Sequence, residues 1–235
     1  MIKMNYLLIH GAYHGSWCWE ELENLLESNG HKVYSITLPG HNPGDSKNVT
    51  LKNYVDYTLN FIKTNDLKNL ILVGHSFGGI VISHVATIIP ERLSKLIFVS
   101  GVVLKSGDNF LQMLPKVAQD KYNSLLSSEI SLNEDYVRKM FFNDFEDKSI
   151  IDNTIKKMVS QPLQPYKDSA YLEGFNELNV PMQYILGKKD LAVPQEMVNQ
   201  IKENLPKHTE WKFIESNHES LITSPQEIFE IINNS

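Results

Sequence analysis

The chain of 235 residues has one cysteine, Cys18. A lone thiol excludes an intrachain disulfide framework and fits a reducing compartment, so the cytoplasm is the expected location. Cys18 itself is expected as a small buried hydrophobe. No apolar run approaches the roughly 20 residues that cross a bilayer. The opening Met1-Ile2-Lys3-Met4-Asn5-Tyr6-Leu7-Leu8-Ile9-His10 has a short apolar stretch broken by His10 and lacks a secretory cleavage pattern, so no membrane partner is expected. Lys and Arg number 22 against 28 Asp and Glu, and no basic run is long enough to follow a phosphate backbone, which argues against nucleic acid. There is no internal repeat, no low-complexity tract, and no cluster of His, Cys or carboxylates with ligand spacing, so neither metal nor organic cofactor is implied. Nothing in the residues specifies an oligomeric state.

The length suits one sizeable core, and 42% hydrophobic with 21% charged residues is an ordinary globular balance, so a single domain over 1–235 is expected. Apolar runs of strand length alternate with helical periodicity, the rhythm of a mainly parallel sheet covered on both faces. Strands are predicted at Tyr6–Ile9, Lys32–Leu38, Asn69–Val73, Leu96–Val99, Gln183–Leu186 and Trp211–Ile214, about six in all. Helices are predicted over Trp17–Ser28, through Leu51–Ile62, from Phe77 to before Pro90, and from Ser224-Pro225 onward, where Ser is a good N-cap. From 102 to 179 the rhythm breaks into short, mostly helical pieces carrying Phe110, Leu111, Met113, Leu114, Phe141, Phe142, Phe145, Tyr171 and Phe175. This segment is predicted to be a cap inserted between the core halves 1–101 and 180–235.

Gly74-His75-Ser76-Phe77-Gly78-Gly79 matches G-x-S-x-G after an apolar strand and before a helix, the context in which a sharp turn presents a nucleophile. A serine hydroxyl is a weak nucleophile until a base takes its proton. Of the eight histidines, His208 and His31 precede strands and belong at the wrong sheet edge, His84 lies inside a helix, and His10, His14 and His75 are held by their own turns. His218 follows the last strand and is the candidate base. Asp190 ends the preceding strand unit and is the candidate acid, with Asp108 as runner-up; the order Ser, Asp, His is that of this motif's fold. Asp45 and Glu215 read as ordinary loop or edge charges. The amides of Ala12 and Phe77 are the candidate oxyanion donors, with Gly11 keeping the first loop close.

His10-Gly11-Ala12-Tyr13-His14-Gly15-Ser16-Trp17-Cys18-Trp19, the Ser76 block, Gly187-Lys188-Lys189-Asp190 and Ser216-Asn217-His218-Glu219-Ser220 together resemble the plant methyl esterases and hydroxynitrile lyases of the α/β-hydrolase superfamily and their bacterial esterase relatives. The resemblance implies an α/β-hydrolase fold and a serine esterase acting on small-molecule carboxylic esters through an acyl-enzyme. Its lyase members carry Thr at the place of Gly11 and Lys at the place of Glu219, so both positions fall on the esterase side. Trp17 and Trp19 are expected to pack at the helix start. Lyase chemistry, lactone or carbon-carbon hydrolysis, and a slow-turnover ligand receptor are the alternatives.

Overall fold

A computed structural model describes residues 3–233; Met1, Ile2, Asn234 and Ser235, the ends of the expected 1–235 unit, lie outside them. Six strands form the main sheet: β1 (Asn5–Ile9), β2 (Lys32–Ile36), β3 (Leu70–His75), β4 (Leu93–Val99), β7 (Met182–Gly187) and β8 (Glu210–Ile214). Between them in sequence, two-residue strands β5 (Glu129–Ile130) and β6 (Gln161–Pro162) pair with each other antiparallel. Every pairing in the main sheet is parallel, in the order β2-β1-β3-β4-β7-β8. The predicted strands all form. The third begins at Leu70 because Asn69 has a left-handed φ of 49°, which a strand residue does not adopt.

Alternation along each strand sorts the core into two layers. Leu7, Ile9, Leu72, Phe98 and Tyr184 pack with α2 (Leu51–Thr64), α3 (Gly78–Ile88) and α8 (Gln195–Asn204). Tyr6, Leu8, Val73, Val99 and Ile185 pack with α1 (Glu20–Ser28) and α10 (Pro225–Asn233). The helix predicted from Trp17 becomes a 3-10 turn over Ser16–Trp19 followed by α1. Trp19 and Cys18 are buried in the second layer as expected, and Trp17 is partly buried against it. Ser224 precedes α10 as expected, and its hydroxyl bonds that of Ser216 at 2.9 Å.

From β1 the chain crosses to β2 on one side and then to β3 on the other, so the loops after β1 and β3 diverge at their C-terminal ends. Such a switch point opens a crevice between them. The segment from Val102 to Leu178 covers it with α4 (Lys116–Ser124), α5 (Glu134–Met140), α6 (Lys148–Lys157), α7 (Gln164–Lys167) and short 3-10 turns at Phe110–Met113 and Phe175–Glu177. A final short helix, α9 (Ser220–Thr223), follows β8.

Candidate active site

Ser76 sits between the end of β3 and the start of α3 with φ of 49°, a strained value for a residue with a side chain. The turn is tight enough that a Cβ on Gly78 would lie 2.5 Å from the Ile9 carbonyl oxygen. The backbone is pinned by Ser76 N–H donating to Val99 O at 3.2 Å and by Val102 N–H donating to Ser76 O at 2.8 Å. The start of α3 then points its amides toward the serine.

His218 arrives from the loop after β8 and is almost fully buried. Its Nδ1 is 2.8 Å from Asp190 Oδ2 and its Nε2 is 3.1 Å from Ser76 Oγ. A carboxylate only accepts, so Nδ1 carries the hydrogen and Nε2 offers its lone pair to the serine hydroxyl. The other carboxylate oxygen of Asp190 accepts from the Ala192 and Val193 amides at 2.8 and 2.9 Å. Burial works to raise the Asp190 carboxyl, but the His218 charge and hydrogen bond, the Ser100 hydroxyl and the Val193 amide together hold it below the usual carboxylate range. For His218 burial works downward, and the Asp190 charge and hydrogen bond with the nearby Glu219 charge outweigh it and raise the imidazole.

The loop after β1 supplies the other side. His10 Nδ1 donates to Gly11 O at 2.7 Å while its Nε2 accepts from Leu38 N–H at 2.9 Å. The Gly11 carbonyl belongs to the same peptide plane as the Ala12 N–H, so His10 fixes the direction of that donor. A Cβ on Gly11 would stand 2.8 Å from the Ser76 Cβ, so a Thr here would press on the serine itself. Phe77 follows Ser76 at the head of α3.

The remaining titratable candidates fall elsewhere. His208 bonds Val180 O and His31 bonds Asn233, both at the N-terminal edge of the sheet. His84 bonds Ile80 O within α3 and accepts from Tyr171 N–H. Asp45 closes a turn through the Gly40 and Asn42 amides, and Glu215 pairs with Lys188. Asp190, not Asp108, is the carboxylate that meets His218. Glu219 is fully buried, faces His14 Nε2 at 3.2 Å, and is not part of the cavity wall.

A cavity of about 590 Å³ opens over Ser76, with Ala12 and His218 in its floor. Of the cap residues singled out from the sequence, Phe110, Met113, Leu114 and Phe141 line it. Leu111, Phe142 and Phe175 are buried in the core instead, and Tyr171 is exposed. Sequence reasoning missed Tyr122, Tyr136 and Tyr166 in the wall, and also Gln161, whose side-chain oxygen accepts from Tyr13 N–H at 3.1 Å and meets His41 Nε2 at 3.0 Å. Gln161 thereby ties the cap to the Ala12 loop. It carries no local motif, and only the pairing of distant segments reveals it. Among the described residues no group of three or more His, Cys, Asp or Glu is placed to hold a metal, and no helix is long and apolar enough to cross a membrane.

The profile of the alpha/beta hydrolase family matches residues 6–231. A carbendazim hydrolyzing esterase of Nocardioides sp. (strain SG-4G) is 38% identical over 117 residues, a match covering 48% of each chain, so the alignment spans about half the length of that relative. Methylesterase 1 of Arabidopsis thaliana is 24% identical over 96% of this chain and 93% of its own. Among solved structures, an extracellular alpha/beta-hydrolase from a Paenibacillus species superposes with a TM-score of 0.91 at 25% identity, covering 98% of both chains. With this match along nearly its whole length and a six-stranded parallel sheet in the expected order, the chain belongs to the alpha/beta hydrolase family and, within it, is similar to the plant methylesterases.

Proposed function

We propose that this protein is a serine esterase that hydrolyses small carboxylic esters through an acyl-enzyme, with Ser76 as nucleophile, His218 as base and Asp190 as its orienting acid. The observation that carries the reading is the unbroken contact from Asp190 through His218 to Ser76 beneath an open cavity. Ser76 Oγ attacks the acyl carbon as its proton passes to His218 Nε2. The carbonyl oxygen gains the negative charge and is held by the Ala12 and Phe77 amides. His218 returns the proton to the departing alcohol as the C–O bond breaks, leaving Ser76 acylated. Water then attacks that ester, its proton again taken by His218, and the acid leaves as Ser76 recovers its hydrogen. The wall of Phe110, Met113, Leu114, Phe141 and Tyr166 favours apolar or aromatic acyl and alkyl groups. Support for ester hydrolysis also comes from relatives named as esterases.

The test is turnover of short-chain aryl and methyl esters together with covalent labelling by a fluorophosphonate. Ser76→Ala is expected to lose on the order of 10⁴ to 10⁶ in turnover and all labelling while keeping its melting temperature. A variant retaining more than about a tenth of wild-type turnover, a loss of at most about 1.4 kcal/mol, would remove Ser76 from the mechanism. A single burst without turnover would turn the reading to a receptor.

A further inference from the structure

Beside the triad, away from the cavity wall, four ionisable side chains are buried together: Glu219, His14, His75 and Cys18. The proposed mechanism uses none of them. Glu219 Oε2 lies 3.2 Å from His14 Nε2, and His14 Nδ1 lies 2.7 Å from the Ala12 carbonyl oxygen. A carbonyl only accepts, so Nδ1 donates to Ala12, and the opposite ring nitrogen is turned toward the Glu219 carboxylate. Burial works to raise the Glu219 carboxyl, but His14, His75 and His218 outweigh it and hold the group below its ordinary value. A buried carboxylate is retained only when paired, and removing one partner is strongly unfavourable.

Each end of this pair touches one working part of the site. His14 grips the carbonyl of Ala12, whose amide is the proposed oxyanion donor. Glu219 is the residue after the base, and its own N–H donates to Asn217 Oδ1 at 3.0 Å, which shapes the turn carrying His218. We propose that Glu219 is a positioning residue of the active site: paired with His14, it ties the Ala12 loop to the segment bearing His218 and keeps a fixed negative charge beside the base. The inference rests on the esterase reading for its kinetic consequence only.

The groups around this charge come from every packed element. His14 faces it from the loop after β1, His75 from the end of β3 and Cys18 from the turn before α1. His218 in turn meets Asp190 at Nδ1, Ser76 at Nε2, the Phe141 ring at 4.8 Å, and His75 Nε2–H, which donates to its backbone carbonyl at 3.0 Å. His75 is held down to about 3, by burial and then by the His218 charge, so it stays neutral and does not replace Glu219 as the tuning charge.

The experiment titrates the His218 imidazole by NMR in wild type and in Glu219→Gln, which removes the charge and keeps the shape, and then records kcat and KM for an aryl ester against pH. Loss of the charge is expected to lower the His218 midpoint by about half a unit or more, with the acid limb of kcat/KM moving the same way. The kcat is expected to fall about tenfold with KM little changed, since the loop that carries the oxyanion donor is released. Glu219→Asp should restore most of both. A purely structural role would lower the melting temperature and leave the midpoint in place. An unchanged midpoint, or a kcat within twofold of wild type, overturns the proposal. If Glu219→Gln does not fold, the double variant His14→Gln with Glu219→Gln, in which two amides face each other, carries the same midpoint test. The NMR midpoint needs no substrate, so failure of the esterase reading is seen separately, as absent turnover in the wild type.

Discussion

The floor and the roof of the cavity are built by different means. The floor stands on strand ends: Ser76 is pinned to Val99 and Val102 through its backbone, Asp190 is held by two amides, and the Gly11-Ala12 peptide is held by His10. The roof stands on side-chain packing: Tyr166 stacks on Phe77 at 5.1 Å and meets Phe110 edge-on at 4.5 Å, while Val117 and Leu126 face outward at 83% and 104% exposure. Hydrogen-bonded backbone fixes direction to fractions of an ångström, whereas packed rings exchange for one another at modest cost. The chemistry is therefore expected to depend steeply on the floor, and substrate choice to depend gradually on the roof.

The steepest test after loss of the nucleophile lies in the floor. Asp190→Asn keeps the size of the side chain but offers His218 Nδ1 a group that favours the wrong tautomer, and turnover is expected to fall on the order of 10⁴-fold. Asp108→Asn should stay within about twofold, because Asp190 alone makes the contact with His218. Steady-state rates of the two variants on one aryl ester decide it, and the reverse ordering would move the acid to the strand before the cap.

The next effect is one of pH. His218 must be neutral to take the serine proton, and its imidazole is raised, so activity should fall as pH drops through a midpoint above the ordinary 6.5. The roof contributes nothing to this profile. The Tyr122, Tyr136 and Tyr166 phenols are all raised by burial, and Tyr13 beside them likewise, so none should ionise below pH 10. A rate profile with its acid midpoint below 6 would show that the Asp190 contact does not govern the base.

The same division explains what the sequence made legible. A strand buried on both faces reads as a continuous apolar run, as in Leu70 to Val73, and the turn that ends it must carry Gly and Ser in fixed places. Hence β1, β3 and the loops holding Ser76, Asp190 and His218 were readable from local pattern. The roof has no such period. Its helices are four to ten residues long, and α4 has no fully buried residue, so ring placement is decided by contacts between segments far apart in sequence. Tyr166 and Gln161 gave no local signal, and Tyr171, one of the aromatic residues of the predicted cap, is exposed. Glu219 was visible as a residue but not as a contact, since its partner His14 lies at the other end of the chain.

A gradual effect is expected from Phe110→Ala. The ring lines the cavity and touches both Phe77 and Tyr166. Removing an aromatic pair forfeits about 0.5 to 1.5 kcal/mol beyond area burial, so kcat/KM for an aromatic ester should fall about two- to tenfold. An acetyl ester, too small to reach the ring, should change less than about twofold. Equal losses on both esters would mean that the roof holds the floor in place and the two regions are not separable.

The smallest effect is expected on the outer surface of the roof. Val117 lies on α4 between Lys116 and Ala118, which line the cavity, yet it is itself outside the wall and 83% exposed. Leu126 lies just beyond α4 and is fully exposed. Serine at either place removes apolar surface that is already in water, so no burial is lost and stability should stay within about 0.5 kcal/mol of wild type. Turnover of acetyl and aromatic esters should be unchanged, because neither side chain touches the floor or the rings over it. Melting temperature and kcat/KM of Val117→Ser and Leu126→Ser, measured at low and high protein concentration, check this. A loss confined to high concentration would show that these side chains are covered by a second molecule in solution, and a loss at all concentrations would show that α4 folds against the roof more tightly than its exposure implies.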